Sequence, residues 1–275
     1  MDATATAQDT AGFESIEGIG AMRNIVRAHD LTKRYQLGKE NYVDALRGAS
    51  VEVKAGEMVA IMGPSGCGKS TLLHIIGCLD SPDGGEIWLN GRRIDNLGAG
   101  ATTKLLREEI GFIFQGFNLV STVSALDNVA MAAQYAGKSR REAQKAAREA
   151  LDKVGLADRA AHRPNELSGG QQQRVAIARA LVNEPLVILG DEPTGNLDST
   201  SSVEVIEMMR EINLMMGTTF ILVTHDPDVA EACDRVIYMR DGSVAHDEAP
   251  AGMWESAARC PNRDVLSERE VAYAS

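Results

Sequence analysis

A glycine-rich loop between an apolar strand and an apolar helix constrains this chain more than any other feature. Residues 63–70 read Gly-Pro-Ser-Gly-Cys-Gly-Lys-Ser, which fits the pattern G-x-x-x-x-G-K-[ST]. The run before the loop, MVAIM, predicts a buried strand, and the run after it, TLLHIIGCL, predicts a helix. Strand, loop and helix in this order start an α/β unit whose loop can enclose a phosphate.

The residue types of the loop suit a nucleoside triphosphate. Gly66 and Gly68 permit the positive φ angles that turn backbone N–H groups inward, and the helix that follows adds the positive end of its dipole. Lys69 can reach the β- and γ-phosphates, and the hydroxyl of Ser70 can bind Mg²⁺. A merely flexible turn would not require this Lys-Ser pair. The predicted nucleotide-binding residues are Gly63, Pro64, Ser65, Gly66, Cys67, Gly68, Lys69, Ser70 and Thr71.

A second apolar run ends in two acids and supplies the other half of a nucleotide site. The segment LVILGDEP, residues 186–193, predicts a buried parallel strand that ends at Asp191 and Glu192. Asp191 would hold Mg²⁺, directly or through water, and Glu192 could polarise the attacking water as general base. Solvated acids at a strand end are common, so these two features alone leave kinases, GTPases, helicases and transport ATPases open.

Composition and charge exclude some classes of partner and compartment. The net charge of −11 argues against general affinity for nucleic acid, for which a basic patch would be expected. The four cysteines are widely spaced and fit reduced thiols. With neither a secretory signal nor a run of about 18 apolar residues, we expect a cytosolic chain that does not itself cross a membrane.

Helical spacing dominates the middle of the chain. In residues 139–154 alanines and other apolar residues recur at helical spacing, Ser139 and Glu142 form a capping box, and Gly155 follows as a stop. The stretch from residue 116 to residue 185 therefore predicts a smaller helical subdomain inserted in an otherwise alternating strand and helix pattern.

The segment 167–174 decides between the open classes. It reads Leu-Ser-Gly-Gly-Gln-Gln-Gln-Arg, and Ser168 with Gln171 predicts a capped helix start. A helix N-terminus that carries glycines can hold an anion. This segment resembles the signature of the ATP-binding cassette (ABC) superfamily. The resemblance implies that ATP lies between the loop of one subunit and the signature of another, in a head-to-tail dimer.

The other elements of that superfamily follow in the expected order. Tyr35 matches the aromatic residue that stacks on adenine, and Gln115 matches the Q-loop glutamine, which contacts Mg²⁺ and senses the transmembrane partner. Asp198 closes the D-loop segment GNLD at the dimer interface, and His225 matches the switch histidine at the γ-phosphate. A tyrosine packed on a strand surface and a structural histidine at a strand end remain the alternatives.

The resemblance implies ATP and Mg²⁺ as cofactors and assigns each site residue a role. The implied catalytic residues are Glu192, His225 and Lys69, and the implied magnesium ligands are Ser70, Gln115 and Asp191. The implied contacts to the ATP of the other subunit are Ser168, Gly169, Gly170 and Gln171.

The resemblance also implies the fold class and the domain boundaries. It predicts an α/β P-loop NTPase of ABC type, with a RecA-like core, an N-terminal antiparallel β subdomain and an inserted helical subdomain at about residues 116–185. The ATPase domain would span residues 24–245. Residues 1–23 would form a disordered tail, and residues 246–275 would form a C-terminal tail.

Four segments resemble a narrower group, the ATPases of lipoprotein release and macrolide export: IIGCLD, GFIFQGFNLV, SALDNV and TGNLDS. Gly116 and Gly190 depart mildly from that group. The likeness implies a peripheral subunit at the cytoplasmic face of the inner membrane, paired with a second copy and with a separate permease, and no nucleic-acid partner. The alternatives are an importer ATPase, a soluble ABC ATPase acting on ribosomes or DNA, and a small-molecule kinase.

Overall fold

The computed structural model describes residues 23–38 and 41–248. The expected N-terminal tail lies outside the described residues except for residue 23. The domain boundary expected at residue 245 falls inside the last strand, which continues to Glu248 through its pairing with the preceding strand. The remainder of the expected C-terminal tail lies outside the described residues.

Strands and helices alternate through most of the described part. The strands are β1 (Asn24–Gln36), β2 (Tyr42–Lys54), β3 (Met58–Met62), β4 (Gly84–Leu89), β5 (Arg92–Arg93), β6 (Ile110–Phe114), β7 (Val187–Asp191), β8 (Thr219–Val223), β9 (Arg235–Arg240) and β10 (Ser243–Glu248). The helices are α1 (Lys69–Ile76), α2 (Ala99–Glu108), α3 (Ala125–Tyr135), α4 (Arg140–Lys153), α5 (Gly169–Leu181), α6 (Ser199–Met216) and α7 (Pro227–Glu231).

The strands form two sheets. The N-terminal sheet is antiparallel, in the order β2-β1-β4-β5. The larger sheet has the order β10-β9-β3-β8-β7-β6 and is parallel except for β10. These sheets are the predicted antiparallel β subdomain and the predicted mostly parallel α/β core.

The central strand β3 separates two apolar cores. Met58 and Ala60 face the core shared with helices α3 to α6, whereas Val59 and Ile61 face the core shared with α1 and the antiparallel sheet. All four residues are fully buried, as expected for a parallel strand covered on both faces.

The predicted helical stretch is present and rich in alanine at its contacts. Ala133 on α3 and Ala143 and Ala147 on α4 are fully buried, which lets these helices approach closely. The predicted capping box starts α4, because Glu142 N donates to Ser139 Oγ and the Glu142 carboxylate accepts from Ser139 N. Helix α5 packs on both α3 and β6, and so joins this subdomain to the core sheet.

We predict that Gly77→Ala destabilises the fold. A Cβ at Gly77, which ends α1, would lie 2.2 Å from Phe112 Cζ and 2.7 Å from Leu189 Cδ1. The resulting overpacking should lower the free energy of unfolding by about 1–3 kcal/mol, measured by denaturant titration. The matched control is Gly100→Ala on α2, where a Cβ meets no atom within 4 Å. Equal unfolding midpoints for the two variants would contradict this packing.

Candidate nucleotide site

The phosphate loop after β3 has the backbone that its glycines predict. Gly66 and Gly68 have φ angles of 79° and 102°, and Gly63 has a φ of 146°. A Cβ would lie 2.2 Å from the carbonyl oxygen of Met239 at Gly63, and 2.3 Å from that of Ala45 at Gly68. Neighbouring backbone therefore holds the loop from two sides, and a side chain at either position would displace it.

Two predicted ligands of magnesium meet at the start of α1. The hydroxyl of Ser70 donates to Asp191 Oδ1 at 3.0 Å, although 121 residues separate them. Oxygen donors of this kind are those that Mg²⁺ prefers. Lys69 is largely buried, and its ammonium donates to the carbonyl oxygens of Gly63 (2.8 Å) and Pro64 (3.0 Å) across the loop.

The third predicted ligand, Gln115, makes different contacts. Its side-chain amide nitrogen donates to Asn196 Oδ1 at 3.3 Å, and its backbone carbonyl oxygen accepts from Asn196 Nδ2 at 2.9 Å. The structure thus joins the Q-loop to the D-loop, and it does not join Gln115 to Ser70 or Asp191 by a hydrogen bond. Magnesium binding by Gln115 stays a prediction.

Glu192 and His225 form a pair beside the loop. The Glu192 carboxylate lies 2.8 Å from His225 Nδ1. This hydrogen bond and the carboxylate charge raise the pKa of His225 above its ordinary value. Glu192 has a φ of 48°, an uncommon left-handed conformation, and its N–H donates to Val223 O at 2.9 Å. The two predicted catalytic residues are therefore adjacent.

The signature begins α5 as predicted. Gln171 N donates to Ser168 Oγ at 3.3 Å, and Gln171 Oε1 accepts from Ser168 N at 3.0 Å, which completes a capping box. A Cβ at Gly170 would lie 3.2 Å from the side chain of Ser201, so the signature packs closely against the start of α6.

Asp198 has a structural role that the resemblance did not suggest. Its carboxylate accepts from the backbone N–H of Ser201 at 3.0 Å and from its hydroxyl at 2.8 Å, and so caps α6. These bonds hold the pKa of Asp198 below its ordinary value. The D-loop therefore ends at a fixed helix start beside the signature.

Tyr35 lies next to the loop in a fixed orientation. Its hydroxyl donates to Asp80 Oδ2 at 2.6 Å, and the ammonium of Lys33 donates to Asp80 Oδ1 at 2.8 Å. The same ammonium lies 5.2 Å from the ring centroid, and the side chain of Thr71 lies close to the Tyr35 hydroxyl. Stacking on adenine remains a prediction for this ring.

Two polar residues of α5 were missed by sequence reasoning. Gln173 donates from its amide to the carbonyl oxygen of Pro193. Arg179 donates to the carbonyl oxygens of Phe117 and Asn118, two residues with positive φ that follow the Q-loop glutamine. A signal existed for Gln173, since it lies on the apolar stripe of its helix, three residues before Ala176.

Sequence and structure comparisons identify the family of this chain. A family model described as ABC transporter matches residues 46–195, more than half of the chain's 275 residues. This chain belongs to the ABC transporter family. It is an ATPase that binds ATP, and its fold is the ABC ATPase fold that the motifs predicted.

Relatives of this ABC ATPase include proteins of similar length. An uncharacterized ABC transporter ATP-binding protein of Thermotoga maritima is 47% identical over 81% of this chain and 94% of its own. The protein MJ0796 of Methanocaldococcus jannaschii is 45% identical over 83% of this chain and 98% of its own. A solved MJ0796 dimer, described as a post-hydrolysis state bound to ADP and Pi, superposes with a TM-score of 0.75 at 44% identity, and covers 83% of this chain and 100% of that one.

A longer relative bears on the narrower resemblance. The macrolide export ATP-binding/permease protein MacB of Bdellovibrio bacteriovorus is 49% identical over 88% of this chain but only 38% of its own length. This identity confirms the predicted resemblance to macrolide-export ATPases.

We predict that His225 titrates above about 6.5, its ordinary pKa, because Glu192 favours the protonated imidazole. The stability that this pair contributes is present below the unfolded pKa and is lost as pH rises through the raised folded pKa. NMR titration of the imidazole should show a lower pKa in Glu192→Gln and an unchanged one in Glu149→Gln, a change on the exposed face of α4. An unaltered titration in Glu192→Gln would refute the pair.

Proposed function

We propose that this ATPase powers the export or extraction of a substrate through a permease, and that ATP-driven closure of a head-to-tail dimer supplies the motion. The observation that carries the proposal is the convergence of five side chains at one edge of the core sheet. Lys69 and Ser70 lie after β3, Asp191 ends β7 with Glu192 next to it, and His225 lies after β8.

The nucleotide binds along this edge. Its phosphates occupy the loop of residues 63–71, where inward N–H groups and Lys69 offset their charge, and its adenine stacks on Tyr35. Ser70 and Asp191 would hold Mg²⁺, with Gln115 as a further ligand. Their oxygens fit that ion, which when bound offsets charge on the transferring phosphoryl group.

Hydrolysis depends on the Glu192–His225 pair. Glu192 orients a water in line with the γ-phosphate and accepts its proton, and His225 holds the γ-phosphate end. The 2.8 Å contact between the two side chains supports these roles, since each fixes the direction of the other. Lys69 adds a fixed positive charge close to the transferred group.

A second copy of the chain completes each site. The signature residues of one subunit contact the ATP that is bound by the phosphate loop of the other: Ser168, Gly169, Gly170 and Gln171. The D-loop residue Asp198 then lies at the interface. Because the sandwiched ATP contacts both subunits, its binding energy favours the closed dimer. The relative MJ0796 has been solved as a dimeric ABC transporter cassette, which supports this arrangement.

The permease is a separate polypeptide, and this subunit docks on it at the cytoplasmic face of the cell membrane. Relatives that this chain covers over 94% or more of their length are named ATP-binding proteins, whereas MacB is named an ATP-binding/permease protein. Among the described residues, no helix has the length and apolarity that a membrane span requires. The cargo is lipoprotein-, peptide- or macrolide-like, and nucleic acid is not a partner.

Co-purification tests the transporter claim. Tagged Glu192→Gln hydrolyses slowly, so ATP should trap its closed dimer in detergent-solubilised membranes together with the bound permease. We expect a permease with about four membrane helices and a large extracytoplasmic domain. The Lys69→Ala form, which loses the phosphate contact, is the untrapped control.

The other outcomes are decisive. A six-helix permease of importer type would leave the ATPase chemistry in place and refute the export reading. Recovery of only ribosomal or DNA-associated proteins would refute the transporter claim.

A further inference from the structure

A buried glutamine connects the signature helix to the backbone next to the catalytic glutamate. Gln173 lies on α5, two residues after Gln171, and is fully buried. Its amide nitrogen donates to the carbonyl oxygen of Pro193, the residue that follows Glu192. This hydrogen bond therefore connects the signature helix of a subunit to the segment that carries the proposed base of the same subunit.

The backbone at Glu192 needs such support. A glutamate in the left-handed region, with a φ of 48°, is held there only if its surroundings fix the chain. Its N–H donates to Val223 O at 2.9 Å, and its carbonyl oxygen accepts from Gly195 N at 3.0 Å. Those two hydrogen bonds come from the backbone. Gln173 adds a third from its side chain, which fixes the next carbonyl group, that of Pro193.

Packing alone is a poor explanation for this residue. Burial of an amide is unfavourable unless both of its polar atoms are hydrogen-bonded, and an apolar side chain of the same size would avoid that cost. Gln173 Oε1 is buried and has no hydrogen-bond partner among the residues that the structure describes. A half-satisfied amide in a core indicates a purpose other than stability.

We propose that Gln173 is a positioning residue that holds Glu192 in its hydrolytic orientation and ties that orientation to the signature helix. This inference rests on the proposed function, in which Glu192 is the base. Because Gln173 and Gln171 share one helix, a shift of α5 on the ATP of the partner subunit is passed to the loop that carries Glu192. Each subunit thereby senses at its own base whether its signature is engaged.

The test replaces Gln173 by methionine, which keeps its length and removes its donor. We expect kcat for ATP hydrolysis to fall about tenfold to a hundredfold, because a small misplacement of a catalytic group has effects of that size. The KM for ATP should change less than about twofold. The ATP concentration at which half of the protein dimerises should also differ less than about twofold between the double variant Gln173→Met, Glu192→Gln and Glu192→Gln alone.

The matched control is Asn213→Leu on α6. Asn213 is a buried amide that likewise donates to backbone carbonyls, those of Gly56 and Thr218, both at 2.8 Å. Its loss should lower the melting temperature and leave kcat unchanged at a temperature where both variants are folded. A general loss of core hydrogen bonding is thereby separated from positioning of Glu192.

Three results would overturn the inference. An unchanged kcat in Gln173→Met would overturn this inference and leave the proposed function in place. Failure of Gln173→Met, Glu192→Gln to dimerise with ATP would show that Gln173 acts on the signature and not on the base. Wild-type hydrolysis by Glu192→Gln would refute the proposed base itself, and the inference with it, whatever Gln173→Met does.

Discussion

The parallel pairing of β3, β8 and β7 is the constraint on which the site depends. Ile61 on β3 is paired with Val223 on β8, and Val223 is in turn paired with Asp191 on β7. The chain segments that leave these strands therefore start side by side, and the phosphate loop, Glu192 and His225 follow within two residues of the paired positions. The carboxyl edge of a parallel sheet is where such proteins bind ligands, since loops from several strands meet there.

Close backbone packing then gives those segments their shape. Gly63 and Gly68 have room only for hydrogen because carbonyl oxygens of Met239 and Ala45 lie against them. Glu192 lacks that freedom, yet adopts a positive φ. Strain of this kind costs about 1–3 kcal/mol and persists only where neighbours hold it, which is common at active sites. The site is therefore formed as much by the main chain as by its charged residues.

Local signals in the sequence predicted the elements of this fold well. The phosphate loop, the capping boxes at Ser139 and Ser168 and the buried strand before Asp191 each depend on residues a few positions apart. Their detection needs no knowledge of tertiary contacts. The strand β10, which ends at Glu248, was not predicted, because its extent depends on pairing with β9 and that pairing has no mark in its own residues.

Contacts between distant elements could not be predicted from the sequence. The bond of Gln115 to Asn196 joins residues 81 apart, and Arg179 reaches Phe117 across 62. Spacing cannot show which side chain a loop will meet, since that depends on how helices pack on the sheet. Gln173 is an intermediate case. Its place on the apolar stripe of a helix predicts that the side chain is buried, but not which group it hydrogen-bonds.

An ATP site composed of residues from two subunits is the central feature of the proposed mechanism, and mixed subunits test it most directly. In the Glu192→Gln background, one variant carries Lys69→Met and the other Ser168→Glu, which sets a carboxylate against phosphate. Neither alone should dimerise with ATP. An equimolar mixture should form heterodimers with one trapped ATP, because the loop of the second variant meets the signature of the first. Size-exclusion chromatography with nucleotide quantification measures both, and a mixture that stays monomeric would contradict the account.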